Sequence, residues 1–295
     1  MATRKTSKKK TVWYVVNIKS RGIQTPETYV EAFEKLQKED PLIHLRANRF
    51  LSIKSMFKSE FFESEGYVRS ILVKLSAYDI LDHDRFYNKR KKESVSLQLD
   101  PDIVANEIET SLIFVPRVHR FAIRTNSEIS LNYVQKYFQE AFDKVMGKGS
   151  FDVTIVKDKD VVQRIISSYQ IYSIKADLTF SNNDRSISGF QKVFDHKIRE
   201  MNPTRFQMNI QGTSRQPLQA VPDGLIQAAA NLSESNGYIN ARVREYEGSR
   251  ISHINTNDYP LNMSVTNAGD DLNTATYNEL INRFDNNEEI RDGQQ

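Results

Sequence analysis

One stretch, "HRFAIRTNSEISLNYVQKYFQEAFDKVMGKGSFDVTIVKD" from His119 to Asp158, constrains the fold more than any other. Leu131, Val134, Phe138, Ala141, Phe142 and Val145 recur every three or four residues, which gathers them on one face of a helix, and Gly147 supplies the stop. The flanking runs "HRFAIRT" and "SFDVTIVKD" are short and rich in β-branched and aromatic residues, as strands are. A short helix with Val161, Val162, Ile165 and Ile166 turned inward follows, then the strand "YQIYSIKADLTF". The result is a β-α-β-α-β run. Further on, "TRFQMNIQG", "PDGLIQAAANLSES" and "GYINARVREYEG" repeat strand, helix and strand, and both units begin Arg-Phe. The expected class is therefore α+β: mixed or antiparallel sheets, helices packed on one face, and two related β-α-β units of the ferredoxin-like kind.

The rest of the chain reads as additions to that centre. "VWYVVNIKS" (Val12 to Ser20) is a strand, and Thr25-Pro26 opens a helix that places Tyr29, Phe33 and Leu36 on one face before Pro41. Two further strands are expected, one in Leu42 to Met56 and one in Gly66 to Ile80, and a short helix from Asp100-Pro101. "SLIFVPRVHRFAIRT" reads as one strand interrupted at Pro116 or two joined there, because proline has no amide proton for a ladder. "REYEGSRIS" is a hairpin with Gly248 at its turn, and a weak helix lies around Tyr277 to Phe284. The expected organisation is a disordered basic arm (1–11), an N-terminal α+β region (12–110), a central β-α-β-α-β unit (111–200), a β-α-β-β unit (201–268) and an acidic, Asn-rich tail (269–295).

Composition bounds the chemistry. The 295 residues are 39% hydrophobic, enough for a real core, and 27% charged with a net charge of only +3, so any basic surface must be local. With no cysteine, disulfides, thiolate nucleophiles and cysteine zinc sites are excluded, and a reducing compartment is the natural home. No apolar run approaches the roughly 20 residues that cross a bilayer. The start "MATRKTSKKK" leads into an apolar stretch too short for a signal peptide, so a cytoplasmic protein that does not engage a membrane is expected.

Candidate sites are few. "LDHDRFYNKRKKES" carries Asp82-His83-Asp84, then Phe86 and Tyr87, then Lys89, Arg90, Lys91 and Lys92. The four cations can neutralise phosphates while an aromatic neighbour stacks on an exposed base. The arm residues Arg4, Lys5, Lys8, Lys9 and Lys10 share that reading. The weaker alternative is a divalent metal held by Asp79, Asp82 and Asp84, although adjacent side chains on a strand or turn diverge and a solvated turn is the simpler account. Asp152, Lys157, Asp158 and Asp160 offer a looser nuclease-like set. His119 is expected on a strand, sharing a face with Arg117. Strand alternation in "YQIYSIKADLTF" places Tyr169, Ile171, Ser173 and Lys175 on one face and Tyr172, Ile174 and Ala176 on the other. Aromatics and cations on an open sheet are how RNA-recognition sheets stack bases, but packing beneath a helix is the more economical account here. Phosphate loops, G-x-G-x-x-G, G-x-S-x-G and H-E-x-x-H are all missing, and no cofactor is implied.

"VWYVVNIKS", "DGLIQAAANLSESNGYINARVREYEG" and "INTNDYPL" resemble an uncharacterised bacterial domain-of-unknown-function family found among phage-defence and mobile-element genes. The resemblance implies that setting and carries no catalytic residues with it. The leading expectation is a non-catalytic component that binds nucleic acid, or a protein partner from the same operon. A divalent-metal-dependent nuclease and a self-assembling subunit that forms a homo-oligomer are the alternatives.

Overall fold

The computed structural model describes residues 10–60, 68–82, 84, 86–100, 102–179, 189–201, 203, 205–266 and 272–285. In chain order the elements are β1 (Lys10–Ser20), α1 (Pro26–Glu39), β2 (Ile43–Arg46), β3 (Arg49–Glu60), β4 (Val68–Asp79), β5 (Phe86–Asn88), β6 (Glu93–Val95), β7 (Ala105–Val115), β8 (Arg120–Ile123), α2 (Leu131–Met146) and β9 (Phe151–Ile155). They continue with α3 (Lys159–Ile166), β10 (Gln170–Leu178), α4 (Gly189–Glu200), β11 (Phe206–Gln211), α5 (Leu225–Asn236), β12 (Gly237–Arg244), β13 (Ser252–Asn255), β14 (Asn262–Thr266) and α6 (Leu272–Phe284). The fold is α+β, built on antiparallel sheets.

Strand β1 is the axis of the larger sheet. Its residues Tyr14 to Asn17 pair with β8, while Lys10 to Tyr14 pair with β14 and Val16 to Ser20 with β9. Val16 and Asn17 are paired in both directions, so β8 occupies one edge and β14 followed by β9 the other. Helix α2 joins β8 to β9, making a split β-α-β unit around β1. With α1 behind β1 and β7 beside β8, the order β9-β1-β8-β7 is the β-α-β-β-α-β arrangement of the ferredoxin-like type. Beyond β7 the sheet continues through β4, β3 and β2. The second sheet runs β11-β10-β12-β13. There α5 joins β11 to β12 across β10, so the two units that begin Arg-Phe share a topology.

The helices form where local chemistry allows. The Thr25 hydroxyl accepts from the Thr28 amide at the start of α1, and Asp40 closes it in a left-handed conformation. Ser130 caps α2 in the same way and Gly147, with φ of 94°, ends it. Helices α1 and α2 bury Tyr29, Phe33, Phe138 and Phe142 against Val16, Ile18 and Phe114 of the large sheet. Helix α6 packs on the opposite face, against Trp13, Val15, Ile113 and Met263. The larger sheet is thus covered on both faces, not the single face expected, because β1, β7 and β8 are apolar at successive positions. The smaller sheet follows the one-face expectation, with α3, α4 and α5 on one side.

Four local expectations are corrected. The stretch Leu42 to Met56 turns at Ala47, which has φ of 43°, and becomes β2 and β3. Among the described residues between Asp100 and Ala105, where β7 begins, no helix is present. The break at Pro116 is a single turn of 3-10 helix, which leaves His119 left-handed with φ of 56° and its ring stacked on Tyr29 at 4.5 Å, so it is not a strand residue beside Arg117. Finally, a bulge between Ile171 and Ser173 breaks the alternation of β10. Ile171, Ile174, Ala176 and Leu178 all enter the core, and Tyr172 joins Ser173 and Lys175 on the other face.

The two sheets meet where the backbone of Lys157 and Asp158 bonds to Glu234 and Tyr259, and the Lys19 ammonium reaches the Asn236 side chain at the end of α5 at 2.6 Å. Lys157 is only 3% exposed at this seam, and burial pushes its ammonium down to about 8 despite the nearby Asp258. The folded state therefore resists the charged form below that pH, and the penalty fades as pH rises from about 8 toward 10.5. A Lys157→Met protein is expected to melt above the wild type at pH 7, with the gap closing at pH 10. A gap independent of pH would show that the ammonium is not held at a penalty.

Candidate nucleic-acid interface

The tip at Lys89 to Lys92 is the turn of the β5–β6 hairpin rather than a free loop. Phe86 pairs with Val95, Tyr87 with Ser94 and Asn88 with Glu93. Asn88 makes the turn: its side-chain oxygen accepts from the amides of Arg90 and Lys91, at 3.1 and 3.0 Å, and its carbonyl accepts from Lys92 at 2.7 Å. Lys92 takes the left-handed conformation that closes the loop. All four cations are exposed, as is Tyr87, and Lys91 lies 3.7 Å from Glu93. The hairpin thus displays four positive charges on a short, ordered projection.

At the base of this projection lies a cavity of about 890 Å³, lined in part by Arg46, Arg49, Asp79, Asp82, Phe86 and Glu128. Its carboxylates are already occupied. Asp79 accepts from Arg49 at 3.0 Å and from the Asn106 side chain at 2.7 Å, and these hydrogen bonds hold its carboxyl below the usual carboxylate range. Glu128 accepts from Arg46 at 3.2 Å. The remaining acids of the metal alternative serve as turn formers: Asp82 accepts from the Asp84 amide at 3.2 Å, and Asp84 from the Ser96 hydroxyl at 2.9 Å. Among the described residues no three His, Cys, Asp or Glu side chains converge as a metal site requires.

The nuclease-like set is dispersed in the same manner. The Asp152 carboxylate accepts from Arg21 Nε at 3.0 Å and Nη2 at 2.9 Å, Lys157 is buried at the seam, and Asp158 caps α3. Of the N-terminal arm, Lys10 is placed, exposed at the first position of β1; Arg4, Lys5, Lys8 and Lys9 lie outside the described residues, as does His83.

A further polar surface was only partly visible in the sequence, where alternation placed Ser173 and Lys175 on one face of β10 but not Tyr172 beside them. The face of the β10–β13 sheet away from its helices carries Lys175, Arg242, Arg244 and His253 among asparagine and glutamine side chains. The Arg205 guanidinium grips both carboxylate oxygens of the buried Asp177 and holds that carboxyl below its ordinary range. The available signal was composition: four strands with several cations and amides and a single acid.

A family model for a domain of unknown function, DUF4747, matches residues 9–282, and the chain belongs to that family. No curated protein matches the chain. Among the described residues no helix is long and apolar enough to cross a membrane.

Because Arg49 is 6% exposed and paired with Asp79 at 3.0 Å and Glu128 at 3.8 Å, replacing Asp79 removes the nearer counter-charge of a buried guanidinium. Asp79→Asn is expected to cost about 2 kcal/mol near neutral pH, measured by denaturant unfolding. The sign follows from the depressed carboxyl: the wild-type advantage is complete above the ordinary carboxylate range and is lost as pH falls through the lower folded value. An equal loss at pH 7 and pH 2 would contradict the pairing.

Proposed function

We propose that this DUF4747 protein is a non-catalytic component of a bacterial system, of the phage-defence or mobile-element kind, that binds nucleic acid through the backbone phosphates. The observation that supports the reading is the β5–β6 hairpin, whose Asn88-centred turn orders four exposed cations with an exposed tyrosine beside them. An ordered tip loses less side-chain and backbone freedom on binding than an unstructured basic loop would. The net charge of only +3 makes such a local concentration, not the whole surface, the source of attraction. Asp79 and Asp82 near the hairpin are committed to arginine, asparagine or a turn amide, and Glu93 offsets Lys91 alone, which leaves the other cations as the chemistry that can be offered to a partner.

Replacing Lys89, Arg90, Lys91 and Lys92 together by Ser tests this. Neutralising four duplex phosphates contributes about −3.6 to the slope of log affinity against log salt, so the variant is expected to bind weakly and with a much flatter slope. Fluorescence anisotropy with a short labelled duplex across a salt series reads both quantities, and Mg²⁺ or a chelator is expected to leave the nucleic acid uncut. Unchanged affinity at low salt, or metal-dependent cleavage by the pure protein, would contradict the reading.

A further inference from the structure

The uncovered face of the smaller sheet has the layout of a surface that reads bases. Across its middle, Asn209, Lys175, Asn240 and Asn255 lie side by side on β11, β10, β12 and β13; the neighbouring row is Gln211, Ser173, Arg242 and His253. Lys175, Asn209, Gln211, Asn240, Arg242 and His253 are all exposed. The opposite face is the apolar one beneath α3, α4 and α5, so these rows are the sheet's solvent side.

Two features set this face apart from an ordinary solvated one. Its charge has one sign: Lys175, Arg242 and Arg244 stand on the four strands with a single acid, Asp177, which Arg205 already neutralises. A merely solvated sheet commonly mixes both signs across neighbouring strands, where opposite pairs stabilise it. The guanidiniums are also held in place. The bulge brings the Tyr172 ring between Arg242 and Arg244, each guanidinium carbon 5.9 Å from its centre, while the Tyr172 hydroxyl donates to Gln170 at 2.6 Å and Arg244 donates to the same oxygen at 3.1 Å. Planar cations fixed in this way stack on bases and bond phosphates at little further loss of freedom, and neighbouring amides bond base edges.

We infer that this face binds single-stranded nucleic acid, with Lys175, Arg242 and Arg244 on the backbone and Asn209 and Asn240 facing the bases. The inference rests on the proposed function and deepens it by assigning the single strand to the sheet, separate from the phosphate contact of the β5–β6 hairpin. Single strands suit the site because their bases are free to lie flat on a sheet, whereas a duplex presents only its backbone and groove edges.

The test compares three full-length proteins: wild type, Lys175→Gln with Arg242→Gln, and the hairpin variant with four serines. Probes are labelled oligo-U RNA, oligo-dT and a duplex, each about 15 nucleotides long, close to the upper site size of a sheet-type module. The sheet variant is expected to lose at least tenfold in affinity for a single strand. Its salt slope for that strand should fall by about 1.4, the contribution of two phosphates, while its duplex affinity stays near wild type. If only the RNA probe is affected, the ligand is RNA; if both are, the 2′-hydroxyl is not read. Both altered side chains are exposed, and Lys175→Gln alone serves as the test if the double change lowers the melting temperature. Wild-type single-strand affinity in the sheet variant, with binding lost in the hairpin variant, overturns this inference and leaves the hairpin reading standing. No binding of any probe by the wild-type protein overturns both. Loss of self-association in the sheet variant, without any nucleic-acid binding by the wild type, would overturn both in favour of a protein partner.

Discussion

Strand β1 is bonded along both edges and buried on both faces, and the architecture is arranged around that demand. Trp13 and the six consecutive residues Val15 to Ser20 are buried, and they need ladder partners on each side and cover above and below. The partners come from distant parts of the chain: β8 and β9 on either end of α2, and β14 some 250 residues away. Val16 and Ile18 draw α1 and α2 onto one face, and Trp13 and Val15 draw α6 onto the other. The far end of β1 then ties the two sheets together, since Lys19 reaches the end of α5.

Once the core is accounted for, the functional argument is one of where charge remains available. Most acidic side chains near the candidate surfaces are committed within the fold: Asp79 to Arg49 and Asn106, Asp152 to Arg21, Asp177 to Arg205, Glu245 to Arg164. That commitment converts a nearly neutral composition into two local positive surfaces, the hairpin tip and the open sheet. A shared physical device underlies both, because a neighbouring side chain orders the cations before any partner arrives: Asn88 through backbone amides in the hairpin, Tyr172 through its ring in the sheet.

The sequence was legible where a single local rule decides the outcome. The three- and four-residue period of Leu131 to Val145 marks α2, Thr25-Pro26 marks the start of α1, and Pro116 marks the break between β7 and β8. It was illegible where tertiary packing overrides the local rule. Ala47 and His119 adopt left-handed backbone without being glycine or asparagine, held by the hairpin of β2 and β3 and by stacking on Tyr29. Alternation in "YQIYSIKADLTF" fails at one residue, and that slip sets the buried Tyr172 ring beside Arg242 and Arg244 instead of under the helices. The cations at Lys89 to Lys92 were visible as exposed charge, but the turn that orders them depends on Asn88, whose role shows only in the hydrogen bonds.

The central claim is that the protein engages a polyanion through these ordered positive surfaces. Lysine acetylation footprinting by mass spectrometry, with and without a bound single-stranded oligonucleotide, tests it most directly. With the single strand, protection is expected at Lys175, and with a duplex in its place across Lys89, Lys91 and Lys92, while exposed lysines elsewhere, such as Lys148 and Lys159, react as before. Protection spread evenly over all exposed lysines, or confined to residues outside the two surfaces, would contradict it.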